Sequence, residues 1–443
     1  MRWALSVWVL GLLACVTTDS SGLGPVTPKE RAAIALQRGD TTEAIRLLET
    51  LRVEAPGDLD VARAWVEAHV KAGSATTLLT RLTDSKDATI QYARGLVLYS
   101  NARDATGPAI EAFERAIVLS PSAGELHYRL GLALLESEKF APAQEALARA
   151  VELFPQKTGW QLPLAKALHR TGRTKDAIAA VRRVVTEDCT PQEAATAKAL
   201  MEEIADPFAG FPKAARPRLD QALTWLQVAD VPQQAMTELE ELLREYPDLG
   251  VLHALLGLAA ARVEDAGRAI EELKRAIELS PEDGKAYLYL ADLYGARQRS
   301  TQAKELYEKA LEKNPCLEDA WFKLGDVALE RQELGKAMVA FRTASRLRPD
   351  DWPARGKLAL VHQLESNWPA ADREIKAELA RNPDNLEATL RLGLLHTEKY
   401  LKAKAANEKQ AARTEATKHL EKVLEQQPEN ALASRALERV KLP

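Results

Sequence analysis

The sequence predicts an all-α fold, an α-solenoid of about eleven stacked helix pairs. Three observations carry this. At 443 residues the chain is longer than one compact core holds, so it needs several domains or an architecture that grows without a central core. Its hydrophobic fraction is 46% and its aromatic fraction 5%, which makes Ala and Leu the main apolar residues and suits closely packed helices better than sheets. Finally, Pro247, Pro281, Pro315, Pro349 and Pro383 follow one another at intervals of 34 residues, and Pro121 and Pro155 repeat the interval.

With proline at about 5% of residues, such a run arises by chance with odds on the order of 10⁻⁴, even counting every possible starting proline. Other positions recur in the same register. The segment from 318 reads Trp321-x2-Leu324-Gly325-x2-Ala328, then Ala337-x3-Phe341, Ala344 and Pro349. The segment from 250 gives Leu256-Gly257, Ala269, Leu273, Ala276 and Pro281. The segment from 284 gives Tyr287, Leu290, Tyr294, Ala303, Leu306, Ala310 and Pro315, and the segment from 124 gives Leu130-Gly131, Ala143, Leu147, Ala150 and Pro155. This pattern resembles the tetratricopeptide repeat (TPR), a helix pair of 34 residues, with Ala in place of the usual Tyr at 328. The resemblance implies a right-handed superhelix.

The residue types have physical reasons. Gly or Ala at the eighth and twentieth positions lets the two helices of a pair approach closely, and Ala at the twenty-seventh makes room for the next repeat. Proline stops the second helix because its ring clashes with the preceding turn. One pair cannot bury its apolar face alone, so neighbours must stack on it.

In this register eleven repeats begin near residues 25, 59, 88, 124, 158, 216, 250, 284, 318, 352 and 386, the second short and degenerate, and residues 431–441 form a terminal capping helix. The period fails twice. After Pro155 the next interval lands on Cys189, and the register is lost until about 216. Between lie a helix over 191–205 and a segment, 206–217, with three prolines and a glycine, which cannot continue a helix. It reads as a joint between an N-terminal block, 25–205, and a C-terminal block, 218–443, packed down by Phe208 and Phe211 or left as a flexible linker. The second failure is length: Pro383 to Pro428 is 45 residues, 11 more than the period. The excess falls around Lys399–Thr417, where seven basic residues of 399–422 face three glutamates. It reads as a solvated helical extension, or as a contact for an acidic partner or lipid head group.

The first 14 residues, MRWALSVWVLGLLA, place Arg2 before an apolar run too short to span a bilayer, which takes about 20 residues. They have the form of a signal peptide. The run ends Leu12-Leu13-Ala14-Cys15, which resembles the lipobox of bacterial lipoproteins. That resemblance implies cleavage before Cys15, acylation of its thiol and a membrane anchor through the N-terminal acyl chains. Residues 15–24 continue as a polar, flexible tether. Val16 in place of Asp favours, by the same resemblance, the periplasmic face of the outer membrane.

Net charge is −4 with no basic stripe, so nucleic-acid binding is not expected. Three cysteines, Cys15, Cys189 and Cys316, make no disulfide framework, and Cys189 and Cys316 are expected as free thiols. The sequence has no phosphate-binding GxxxxGK[ST], no HExxH, no GxSxG, no SxxK and no CxxC. No cofactor, metal or catalytic residue is expected. His362 and His396 share one slot in adjacent repeats, about 10 Å apart as packed helices are, which is too far to share an ion. His127 and His253 occupy the Trp slot and read as packing residues.

By the resemblance, the first helix of each repeat lines a concave groove through its second, fifth, ninth, twelfth and thirteenth positions. Those positions hold Tyr128, Leu132, Leu258, Leu288, Asp292, Phe322, Asp326, Leu329, Leu360, Leu390 and Leu394, with Ala254, Gly356 and Leu364. The groove is apolar with a few acids and lacks the Lys, Arg and Asn set with which one TPR subclass clamps a C-terminal carboxylate. Its natural ligand is an apolar helix or extended peptide. The other reading is that tight coiling buries these side chains as core. The function expected is a non-catalytic scaffold for protein contacts, lipid-anchored in the bacterial envelope, that assists assembly of a secretin, pilus, barrel or motility complex. A cytoplasmic TPR adaptor and a positioning subunit for an envelope hydrolase or protease stand as alternatives.

Overall fold

The computed structural model describes residues 27–82, 85–101, 106–350 and 352–441. The expected lipidation site Cys15, the signal and the tether lie outside them. Among the described residues there are 24 α-helices and no strand. Chain contacts divide the protein into two compact units, 1–180 and 181–443.

In the first unit, α1 (Pro28–Arg38) pairs with α2 (Thr41–Glu54), α3 (Leu59–Lys71) with the short α4 (Ala75–Arg81), α5 (Ala88–Asn101) with α6 (Thr106–Leu119), and α7 (Gly124–Glu136) with α8 (Phe140–Leu153). A 3₁₀ turn at Thr158–Trp160 then leads into α9 (Gln161–Arg170), and α10 (Thr174–Thr186) spans the boundary between the units. In the second unit, α11 (Pro191–Ile204) precedes five pairs. These are α12 (Arg216–Gln227) with α13 (Pro232–Glu245), α14 (Gly250–Arg262) with α15 (Ala266–Leu279), α16 (Gly284–Ala296) with α17 (Ser300–Lys313), α18 (Glu318–Glu330) with α19 (Leu334–Leu347), and α20 (Trp352–Leu364) with α21 (Trp368–Arg381). A longer pair, α22 (Leu386–Lys402) and α23 (Ala406–Gln426), is closed by α24 (Ala431–Lys441). α11 and α24 stand outside these pairs.

Small residues set the spacing within each pair. A Cβ placed on Gly131 would stand 2.4 Å from Leu147 Cγ, one on Gly257 2.6 Å from Leu273 Cγ, and one on Gly325 2.6 Å from Phe341 Cε1. In the lengthened pair the partner of Gly393 moves to Leu420, displaced by the 11 inserted residues, and the gap is 2.8 Å. Any side chain at this position would push the second helix away and open the core.

The turn between the two helices of a pair uses the left-handed backbone at the fifteenth position. In the first unit Gly39, Gly73 and Gly172 adopt it, as glycine does at little cost. Glu138 holds the same conformation with φ 57°, and in the second unit Asp230, Glu264, Gln298, Gln332 and Ser366 hold it with φ between 50° and 63°. Four repeats are also tied to the turn before them through their fourth position. Trp321 Nε1 donates to Pro315 O at 2.8 Å and Arg355 Nη2 to Pro349 O at 3.1 Å, while a ring nitrogen of His127 lies 2.9 Å from Pro121 O and one of His253 3.1 Å from Pro247 O. The two histidines thus do the work of the Trp whose slot they take.

The segment that breaks the period is folded, not a loose linker. Thr190 and Glu193 form a capping box that starts α11, with Pro191 at the first turn. α11 packs on α19. Arg182 Nη2 donates to Leu311 O at 2.7 Å, Lys198 Nζ lies 3.4 Å from Glu318, and Arg346 donates to Glu187 O and pairs with Asp188. This fold-back brings Cys189 within electrostatic range of Cys316, although 127 residues separate them and spacing alone suggested that they lie several repeats apart. Both thiols are free, and burial pushes that of Cys316 up to about 12. Over 206–217, Phe208 and Phe211 pack against the core of α12–α14 and Arg216 stacks over Phe208 at 4.8 Å.

The 11 extra residues of the last repeat are shared between its helices. α22 has 17 residues where the preceding first helices have 13, and α23 has 21 where the second helices have 14. At 1.5 Å per residue the two helices extend by about 6 and about 10 Å.

Candidate partner-binding surface

In the first unit Tyr128 is buried and stacks on Trp160, ring centroids 4.6 Å apart, while Leu132 keeps partial exposure. Tyr128 is held there because Trp160 enters from the 3₁₀ turn that starts the following repeat.

In the second unit Leu288 is buried at 6% exposure, inside the core of α16 and α17. Ala254 and Gly356 are also buried. The remaining positions reach the surface. Leu258, Phe322, Leu329, Leu360, Leu390 and Leu394 are half-buried, and Leu364 is 54% exposed. Phe322 rests edge-on against Phe341, 5.7 Å between centroids. Leu390 and Leu394 lie against the core of α23 and α24. Of the acids, Asp292 Oδ1 accepts a 2.7 Å hydrogen bond from the Tyr307 hydroxyl, and Asp326 Oδ1 lies 2.7 Å from Lys357 Nζ on the next repeat. Those two carboxylates therefore brace neighbouring helices as well as colouring the surface. The arrangement is a set of leucine and phenylalanine edges on α14, α18, α20 and α22, with the fixed acids Asp292 on α16 and Asp326 on α18.

The histidines lie inside the frame. His362 and His396 are both buried, at 8% and 7% exposure. His396 stacks on His419 of α23, 6.3 Å between centroids, and its Nε2 lies 3.3 Å from Asp372 Oδ1 of α21 without forming a hydrogen bond. Burial, aided by the nearby Lys399 ammonium, pushes the His396 imidazole down to about 4. No group of three or more His, Cys, Asp or Glu among the described residues has the arrangement to hold a metal ion. Pattern reading missed the cavity of about 480 Å³ that the lengthened pair encloses against Trp368, with Lys399, Lys402, Glu408 and Ala412 among its walls. Lys402 Nζ sits 4.9 Å above the Trp368 ring. The excess length of this repeat was the available signal.

Stacked helix pairs with this small-residue packing define an α-solenoid. Residues 128–194 and 288–351 match one family profile described as tetratricopeptide repeat, and residues 260–315 match a second with the same description. The chain is a tetratricopeptide-repeat protein, of the class that serves as a scaffold for contacts with other proteins and peptides. Among curated proteins it is similar to protein O-mannosyl-transferase TMTC1 of Mus musculus, 26% identical over 144 residues. The match takes in 32% of this chain and 15% of the mouse protein, so this chain spans a small part of that relative. Among solved structures it is similar to YrrB, described as a TPR protein with an unusual peptide-binding site (20% identity, 45% of this chain and 97% of that one, TM-score 0.39). It is also similar to PilF of Pseudomonas aeruginosa (16%, 50% and 96%, TM-score 0.43) and to PilW, described as a type IV pilus biogenesis factor (15%, 51% and 99%, TM-score 0.42).

Proposed function

We propose that this chain is a non-catalytic scaffold, held in the bacterial envelope by an acylated Cys15, that assists assembly of a multiprotein complex by seating an apolar helix or extended segment of a partner. The observation that carries the binding half is the set of half-exposed Leu258, Phe322, Leu329, Leu360, Leu390 and Leu394 on the first helices α14, α18, α20 and α22, with the exposed Leu364. Apolar edges aligned on one face, rimmed by the fixed acid Asp326, suit an amphipathic ligand read at regular intervals. The anchoring half is supported by the sequence Leu12-Leu13-Ala14-Cys15 behind an apolar run of signal-peptide length. Acyl chains contribute about 0.8 kcal/mol per buried CH₂, so several on one cysteine hold the chain firmly to a bilayer.

Membrane fractionation of the wild type and Cys15→Ala tests the anchor. The wild type should sediment with outer membranes and lack residues 1–14, and Cys15→Ala should be released. A wild type that stays soluble and keeps Met1 removes the anchor and leaves the cytoplasmic adaptor as the better reading.

A further inference from the structure

The folded-back α10–α11 segment walls a second pocket that the regular repeats do not build. Cys189 and Pro191 close it on one side, and Arg342 and Arg346 of α19, Arg355 of α20 and Arg381 of α21 line the other, around about 260 Å³. Four guanidinium groups share this space with one lining carboxylate, Glu374.

Three of the four arginines are held in place. Arg346 is fixed by Glu187 O and Asp188, Arg355 by Pro349 O with Glu374 and Glu378 at 4.0 and 3.8 Å, and Arg381 by Asp350 at 3.3 Å. The Arg342 guanidinium makes no hydrogen bond or ion pair among the described residues. Two of the opposing carboxylates, Asp188 and Asp350, are 92% and 94% exposed. Pairs with such solvated acids contribute little, and a ligand that brings several carboxylates at once displaces them. Guanidinium forks recognise carboxylates bidentately, which a lysine patch would not.

We propose that this pocket docks an acidic segment of a partner protein, a short run of Asp or Glu side chains seated on Arg342 and flanked by Arg346 and Arg381. The inference rests on the reading of the chain as a protein-binding scaffold. Its carrier is spacing: the arginines sit on three successive helices, and packed helices lie about 8–10 Å apart. Acids strung along a chain can follow arginines set on three helices, each meeting its own fork, where a free anion brings one group.

The test is fluorescence anisotropy of labelled hexaglutamate with the full chain. Wild type should bind in a salt-sensitive manner, and Arg342→Glu should weaken binding by about tenfold or more, with Arg342→Lys in between. Arg297→Glu makes the same charge change at an exposed position outside the pocket and should leave binding within about twofold. Equal weakening by Arg342→Glu and Arg297→Glu, or no binding by the wild type, overturns the proposal. So does displacement of the peptide by inorganic phosphate at matched concentration, which would mark a free-anion site. If hexaglutamate fails while partner capture still depends on Leu360 and Leu364, the pocket alone is refuted. If hexaglutamate binds while capture ignores those leucines, the apolar row is refuted and the pocket stands.

Discussion

One edge of the Phe341 ring takes the place where Gly325 has no side chain: a Cβ there would stand 2.6 Å from Cε1 and 2.8 Å from both Cδ1 and Cζ of the ring. The same relationship joins Gly131 to Leu147 and Gly257 to Leu273, so it is how the pairs α7–α8, α14–α15 and α18–α19 set their distance. Gly325→Ala gains about 1 kcal/mol of helix propensity and loses more to overpacking, for a net loss of about 1–2 kcal/mol. In the Gly325→Ala background, Phe341→Leu should cost measurably less than it does in the wild type. Urea denaturation of the four proteins of this double-mutant cycle checks it. Additive losses would mean that the contact does not set the spacing.

The left-handed turns make a prediction of opposite sign. Gln298, exposed and at φ 58°, holds a conformation that costs a residue with a Cβ about 1–2 kcal/mol, against roughly 0.5–1 kcal/mol of chain entropy for glycine. Gln298→Gly should raise stability by about 0.5–1 kcal/mol, and Gly172→Ala should lower it by a similar amount. Midpoints of thermal and chemical unfolding report both. Destabilisation by Gln298→Gly would show that the turn is not strained.

Stability should fall in acid through His396. Native His396 is held near 4 by burial and by Lys399, among Asp372 of α21 and Glu415 and His419 of α23. In the unfolded chain an imidazole titrates near 6.5. Between those values the unfolded chain takes up a proton that the native one refuses, so the stabilisation is complete above about 6.5 and is lost as pH falls toward 4. The loss is about 2–3 kcal/mol for this group. His362 and His419 shift in the same direction, also through burial. His396→Gln should flatten the decline of stability between pH 6.5 and 4, and an unchanged slope would contradict the assignment.

Much of this architecture is legible in the sequence. The prolines lie two residues beyond α13, α15, α17, α19 and α21, and the small eighth positions lie under large residues of the second helix, because each repeat solves one packing problem with the same residues. What has no period was not readable. The bond from Arg182 to Leu311 spans 129 residues and nothing in spacing announces it, so the fold-back of α11 and its arginine pocket came from the structure. The left-handed position was hidden where Glu, Gln and Ser carry it instead of Gly. The length of the last insertion was legible, but its division between α22 and α23 was not, because neither Gly nor Pro marks where the turn falls. Burial within the expected groove was only partly legible, since Tyr128 and Leu288 are covered by neighbours rather than by their own repeats' pattern.

A partner seated on the first-helix face of the second unit comes within reach of α20. Site-specific photo-crosslinking in the native host tests it most directly, with the crosslinker at Leu360 or Leu364 on α20 and, as a control, at Val339 on α19, which is 44% exposed. One discrete protein adduct is expected from the α20 positions, lost when Leu329→Asp is added, and none from Val339. Equal adducts from α20 and Val339, or none from α20 in a folded chain, would contradict it.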